Sequence, residues 1–327
     1  MRNKLATLLR RTVAGEKIDR DEYGVLLDKS LGLNEICYGA NLLREQHSGQ
    51  FVDFCAIINA RSGACSENCA FCSQSSHHNS NVPVYDLVEG AKIRNACAKA
   101  QEDGAARFGV VTSGPTPSAD DIAAIAAHSA EIISGGGLPV CVSLGKLGRD
   151  DFARLKKAGV KRVHCNLETS EKFFPQICTT HSWAEKTETI RLAHEMGFEV
   201  CSGGILGMGE DWCDRLDMAL ALKDLGVNSV PLNFLMPRPG TPLEGRTPLE
   251  PRETLRIIAL FRYVLPDRDI RICGGRADAL RSLQSWIFHA GANGIMTGDY
   301  LTSPGCSPGA DRHMVADLEL ELRQHDA

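Results

Sequence analysis

The sequence predicts an α/β protein, a (β/α)8 TIM-type barrel with an N-terminal helical extension. Two observations point there. From about residue 51, short apolar β-rich runs alternate with longer helical stretches, and eight such runs occur before residue 300. Several intervening helices end on a glycine that can take a left-handed cap: Gly104, Gly159, Gly197, Gly226 and Gly291. Strands that alternate with helices pair in parallel, and eight of them argue for a closed barrel rather than an open sheet.

The expected strands are Val52–Asn59, Arg107–Thr112, Pro139–Leu144, Arg162–Glu168, Glu199–Leu206, Ser229–Leu235, Ile270–Gly274 and Gly294–Thr297. Helices are expected at Asp86–Asp103, Ala119–Ile133, Arg149–Ala158, Ala184–Met196, Cys213–Leu225, Arg252–Leu265 and Ala277–Ala290, each with apolar residues at helical spacing. Residues 1–50 read as helical, with such spacing over 21–27 and 36–43. The organisation is then an extension over 1–50, a barrel over 51–305 and a tail over 306–327. That tail is polar, rich in glycine and proline, and expected to be partly mobile.

Composition narrows the function. The 327 residues carry a formal net charge of -5 and the pI is about 6.1, so no basic surface argues for nucleic acid or an anionic membrane. Aromatic content of 6% also speaks against a base-stacking platform. No run of eighteen apolar residues occurs, and the N-terminus lacks the apolar core of a signal peptide. Thirteen cysteines without an export signal point to a reducing cytoplasm and to metal ligation rather than disulfides. The expectation is a cytoplasmic enzyme.

Cys65, Cys69 and Cys72 follow the first strand in a CxxxCxxC run, where the loops of such a barrel carry their chemistry. A structural zinc site wants four closed ligands, and a ferredoxin cluster wants four cysteines. Three thiolates leave one iron of a cubane open to another ligand. The competing reading, unrelated buried cysteines, does not account for the spacing.

Four more cysteines fall on alternate strands: Cys55 on the first, Cys141 on the third, Cys201 on the fifth and Cys273 on the seventh, two residues after Arg271. Barrel interiors fill in layers drawn from alternate strands, so these side chains can share one layer, a geometry suited to a second metal cluster. Free cysteine is also a common small core residue, and both readings stay open. Cys37, Cys97, Cys178, Cys213 and Cys306 read as ordinary core or surface thiols, and Cys165 is undecided.

Six runs together resemble the biotin synthase family of radical S-adenosylmethionine enzymes, over about residues 50–305. They are Ser62-Gly-Ala-Cys-Ser-Glu-Asn-Cys-Ala-Phe-Cys-Ser-Gln-Ser-Ser76, Asn166-Leu-Glu-Thr-Ser170, Cys201-Ser-Gly-Gly-Ile-Leu-Gly-Met-Gly-Glu210, Val230-Pro-Leu-Asn-Phe234, Gly240-Thr-Pro-Leu243 and Gly291-Ala-Asn293. The resemblance implies sulfur insertion into dethiobiotin, a homodimer, and a reductant such as flavodoxin or ferredoxin. It implies that Cys65, Cys69 and Cys72 hold a [4Fe–4S] cluster that binds S-adenosylmethionine. Asn166 and Glu168 match positions that contact that cofactor, and Gly203 and Ile205 lie in its adenine-contacting segment. Asn166 and Asn233 match residues that hold the ureido ring of the substrate. For Glu168 a rim salt bridge, and for Asn233 a purely structural amide, are the plainer alternatives.

One departure stands out. Familiar members draw sulfur from a [2Fe–2S] cluster held by cysteines on strands two, three and five and an arginine on strand seven. Here Cys141, Cys201 and Arg271 match, but Gly109 replaces the strand-two cysteine, while Cys55 stands where those members carry serine. The expected auxiliary cluster, [2Fe–2S] or larger, is therefore held by Cys55, Cys141, Cys201 and Arg271, thiolate being a better iron ligand than a hydroxyl. His164 and Cys165 replace the familiar Asn-His pair. Arg107 reads as a neighbour of that cluster or as a strand-end ion pair, and His77 and His78 as a solvated loop. The alternatives in function are a related radical enzyme of cofactor maturation or carbon-skeleton rearrangement, and a cluster-binding scaffold.

Overall fold

A computed structural model describes residues 1–323. Three helices lead in: α1 (Arg2–Val13), α2 (Gly24–Leu27) and α3 (Leu33–Ser48). Barrel strands follow as β1 (Phe51–Arg61), β2 (Arg107–Thr112), β3 (Val140–Ser143), β4 (Arg162–His164), β5 (Glu199–Cys201), β6 (Gly204–Leu206), β7 (Ser229–Phe234), β8 (Asp269–Ile272) and β9 (Gly294–Met296). Every pairing is parallel, and β1 pairs with both β2 and β9, so the sheet closes. Between strands run α4 (Gly90–Glu102), α5 (Ala119–Ser134), α6 (Arg149–Lys157), α7 (Trp183–Glu195), α8 (Trp212–Asp224) and α9 (Pro251–Val264). The five glycines expected to cap helices all have positive φ, between 67° and 103°.

The fifth expected strand is split into β5 and β6 at Ser202-Gly203. The reason lies next door, where Pro231 has no N–H to give the ladder. The β5–β7 pairing ends after Cys201↔Ser229, and β6 resumes it at Gly204↔Leu232. In the gap the Gly203 amide donates to the Asn166 side chain at 3.0 Å. The helix expected over 277–290 is also broken, into α10 (Arg276–Leu280), a 3-10 turn and α11 (Trp286–His289), at Arg281 with φ of 51°. The tail is not loose over its described part: α12 (Pro308–Ala316) leads to β10 (Glu321–Leu322), which pairs with Phe51 and Val52 at the start of β1.

The ends of the barrel differ in chemistry. At the N-terminal end, fully buried Arg262 on α9 donates to the carbonyls of Gly291 (2.7 Å), Leu265, Pro266 and Arg268, and to Asn293 Oδ1 at 2.9 Å. Asn293 Oδ1 also accepts the Ile270 amide at 2.8 Å, and its amide donates to Asp269. A side chain at Gly291 would meet the Arg262 stem at 2.6 Å. The Gly291-Ala-Asn293 run is thus a structural seam where β8, β9 and β1 meet. Burial holds the Arg262 guanidinium down to about 9, still protonated near neutrality. Replacement by methionine, Arg262→Met, leaves several buried acceptors without a donor and is expected to cost about 3 kcal/mol. A lowered urea midpoint under anaerobic conditions checks this.

Candidate functional site

At the opposite end the strands open into a cavity of about 400 Å³. That volume suits a small-molecule site. Cys72 and Phe71 from the loop after β1 line it, with Cys55, Cys141, Cys201 and Cys273 deeper, and Asn166, Glu168, Ile205 and Asn233 on the wall. The structure therefore brings Cys72 of the cluster loop, the expected cofactor positions Asn166, Glu168 and Ile205, and the interior thiols to one space, whereas Gly203, Cys65 and Cys69 lie outside its lining.

The cluster loop is shaped by its own backbone. The Cys72 amide donates to the Cys69 carbonyl at 2.9 Å, the Cys65 amide to Gln74 at 3.1 Å and the Ser76 amide to Cys65 at 2.8 Å. Exposed His77 and half-buried His78 also brace the loop, with ring nitrogens 3.0 Å from the carbonyls of Ser66 and Cys69. Burial pushes the Cys72 thiol up to about 11, and the nearby Cys65 and Glu168 also oppose its ionisation. Thiolate is the form that ligates iron, and this loop offers three such soft donors. That donor set fits an iron–sulfur cluster.

The Glu168 backbone has a φ of 69°, a costly conformation for a residue with a side chain. Its carbonyl accepts the Ile205 amide at 2.9 Å, and any side chain at Gly204 would meet that carbonyl at 2.2 Å. Burial raises the Glu168 carboxyl, and the Asn166 amide donates to it at 3.3 Å. Asn233 is held at both ends by backbone, giving to Gly204 O at 3.2 Å and accepting from Gly274 N at 2.9 Å. In the run after β6, the Glu210 carboxylate gathers the amides of Gly207, Met208 and Gly209. Met208 and Ile205 then pack with Phe173, Phe174, Ile177 and Leu235 into an apolar wall.

In the interior layer the register sets Ile57, Gly109, Cys141 and Arg162 side by side on β1 to β4. A Cβ at Gly109 would lie 3.0 Å from an Ile57 methyl, which gives a cysteine there little room. Cys55 lies near Cys273, whose thiol hydrogen bond, followed by the charge of Arg271, pulls Cys55 down to about 7. Burial pushes Cys141 up to about 12 and raises Cys201. Arg271 spends its guanidinium on Asp53, at 3.1 Å to Oδ2 and 3.2 Å to the carbonyl. Arg107 lines the cavity and sits 3.7 Å from Glu199, the strand-end ion pair expected as one of its two readings.

Two groupings escape sequence reasoning. Cys273, placed in the interior layer but not among the expected ligands of the auxiliary cluster, reaches the cavity beside Cys55. Cys178, read as an ordinary thiol, has its Sγ 3.7 Å from Cys69 and 3.3 Å from His181 Nδ1. The thiol hydrogen bond from Cys69, then His181, hold Cys178 well below the usual thiol range. The ICTTH stretch, residues 177–181, was the one local signal available.

Over the cavity mouth lies the segment from Gly298 to Cys306, whose base is pinched by the Gly298 amide on the Cys306 carbonyl at 3.1 Å. It touches the barrel through Asn59 Nδ2 to Leu301 O (3.0 Å), Tyr300 Oη to Cys273 O (3.2 Å) and Ser73 Oγ with Thr302 Oγ1 (3.3 Å).

A closed parallel barrel carrying a CxxxCxxC loop at its C-terminal mouth defines the radical S-adenosylmethionine class. Residues 60–222 match the Radical SAM superfamily, and residues 231–321 match the Biotin and Thiamin Synthesis associated domain. The chain is 50% identical to a biotin synthase of Thermodesulfovibrio yellowstonii over 87% of each chain. It is 44% identical to that of Geobacter sulfurreducens over 99% of each. The chain belongs to the biotin synthase family. In fold it superposes on methylornithine synthase with a TM-score of 0.84 at 18% identity, covering 97% of each chain. A FeFe-hydrogenase maturase from Carboxydothermus hydrogenoformans gives 0.83 at 15% identity, over 99% of this chain and 80% of that one. No helix among the described residues is long and apolar enough to cross a membrane.

His164 faces the cavity from β4 with Nδ1 3.0 Å from Ser143 Oγ. Burial, then the charge of Lys186, hold it down to about 4 from an ordinary 6.5. The unfolded chain therefore takes this proton first as pH falls, and stability drops from about 6.5 until about 4 is reached. His164→Asn is expected to flatten that stretch of a pH–stability curve measured by anaerobic thermal melts.

Proposed function

We infer that the protein is a biotin synthase, a radical S-adenosylmethionine sulfurtransferase that inserts sulfur into dethiobiotin to form biotin. The observation that carries this is the single cavity onto which the cluster loop and the interior thiols both open. This supports a reading with a cofactor-binding cluster and a sulfur source at opposite ends of one substrate-sized space.

In this reading Cys65, Cys69 and Cys72 hold a [4Fe–4S] cluster, which when bound supplies the electron for reductive cleavage of S-adenosylmethionine and so the means of breaking an unactivated C–H bond. Asn166 and Glu168 orient the cofactor's polar part, and Gly203 and Ile205 take its adenine against the apolar wall. Asn233, with Asn166, faces the substrate's ureido ring. The Phe173–Leu235 cluster and the Gly298–Cys306 segment keep water away, which protects a radical and holds the reacting groups in register.

Cys55, Cys141 and Cys201 hold the auxiliary iron–sulfur cluster. Arg271 was expected as its fourth ligand. Its engagement with Asp53 supports a charge-balancing role instead, and Cys273 is then the thiol positioned to complete the set. All thirteen cysteines are unpaired, which favours a reducing cytoplasm as the working compartment. The same reading expects a homodimer and an electron donor such as flavodoxin or ferredoxin.

The reading is tested by incubating anaerobically reconstituted protein with dethiobiotin, reductant and S-adenosylmethionine. Biotin and 5′-deoxyadenosine are both expected by mass spectrometry. Deoxyadenosine without biotin would transfer the assignment to a cofactor-maturation or carbon-skeleton enzyme. Cys55→Ala is expected to reduce iron and sulfide to those of one [4Fe–4S] cluster and to lower biotin yield by about 100-fold. Mössbauer spectra of the two proteins check the first outcome, and an unchanged auxiliary signal removes Cys55 from the ligands.

A further inference from the structure

Beside the cluster loop lies a group of ligating atoms, two of whose three residues, Cys178 and His181, the reaction above does not use. Cys69 Sγ, Cys178 Sγ and a ring nitrogen of His181 all lie within 4.8 Å of one another. The two sulfurs are 3.7 Å apart, and Cys178 Sγ is 3.3 and 3.9 Å from His181 Nδ1 and Nε2. A tetrahedral cation bound by two thiolates at ~2.3 Å and an imidazole at ~2.0 Å sets S···S near ~3.8 Å and S···N near ~3.6 Å. The sulfur spacing matches, whereas Cys178 Sγ lies beside the imidazole, nearly equidistant from its two nitrogens, so ligation requires the His181 ring to turn with the backbone in place.

The surroundings are also those of a metal ligand. His181 Nδ1 pairs with the Glu67 carboxylate at 2.7 Å, the contact that fixes an imidazole and presents its other nitrogen to a cation. The His181 side chain is 6% exposed and that of Glu67 13%, so the pair is no chance surface contact. Asn68 joins the two segments, its side-chain oxygen accepting the Thr179 amide at 3.0 Å.

We propose that Cys69, Cys178 and His181 form a mononuclear site for a soft divalent cation, zinc or ferrous iron, in the chain before its cluster is built. Glu67 orients the imidazole. Cys69 belongs to both this trio and the cluster triad, so the two occupancies exclude one another. The exclusivity rests on the cluster assignment made above, whereas the trio stands on its own geometry. The cation would tie the loop after β1 to the segment before α7, holding one cluster cysteine in place until iron and sulfide arrive.

The test uses full-length, cluster-free protein kept anaerobic, with zinc alone as the probe. Cysteine alkylation is mapped by peptide mass spectrometry with and without one equivalent of zinc. Zinc is expected to slow alkylation of Cys69 and Cys178 at least tenfold and to leave Cys65 and Cys72 unchanged. Equal alkylation of Cys178 with and without zinc overturns the proposal, as does joint shielding of Cys65, Cys69 and Cys72. Cobalt titration supplies a second readout. Wild type and C65S are expected to show the visible bands of tetrahedral thiolate-bound cobalt at equal strength, with the loss of one equivalent in C178S and H181Q. A signal retained in C178S but lost in C65S places the cation on the triad and sinks the idea.

Discussion

The barrel closes where β1 meets β9, and the chemistry at its mouth depends on that seam. Arg262 is the interaction that holds it. A guanidinium with no exposed surface survives only because five acceptors surround it, among them Asn293 Oδ1, which also receives the Ile270 amide. One side of β1 is thereby docked on β9, and its register carries Cys55 opposite Met296 and Arg107. Were the sheet open, Cys55 and Cys273 would sit on distant strands. Closure turns them into neighbours.

A second constraint follows from the low polarity of the interior. Thiols there resist ionisation, as Cys141 and Cys201 do, unless positive charge is near. The barrel provides Arg107, Arg162 and Arg271 on its cavity wall, and it keeps Arg271 from collapsing onto a thiolate by engaging it with Asp53. Cys55 is the exception among the interior thiols, drawn down by the neighbouring Cys273 thiol and the charge of Arg271. The same low polarity acts on Glu168 and His164, which burial biases toward their neutral forms, so these two groups add little charge to that of the arginines.

Much of this was legible in the sequence because it is local. Parallel strands, helix-capping glycines and a CxxxCxxC loop are each written within a few consecutive residues. The eight strands and the cluster loop therefore appear where periodicity and spacing put them. The split of the fifth strand was not legible, since it arises from Pro231 on a neighbouring strand and from a side chain, Asn166, that takes over a backbone amide. Cys178 was missed for a similar reason. Its partner Cys69 is 109 residues away, and nothing in the Cys178 neighbourhood has a period that reports the contact. Composition did not reveal the order in the described part of the tail, because β10 finds its partner at Phe51, far back along the chain.

The segment from Gly298 to Cys306 has a consequence for traffic. Its two ends are stapled to each other, and Gly305 admits no Cβ because the Gly298 carbonyl would lie 2.0 Å away. A ring stapled at its base swings as one piece instead of fraying. The contacts made by Leu301, Tyr300 and Thr302 hold its tip on the barrel, together worth on the order of 3 kcal/mol, and Cys306 Sγ ties its base to Gln284. Loading and unloading of the chamber therefore needs no disturbance of the staves, and the hinge of this door is the staple itself.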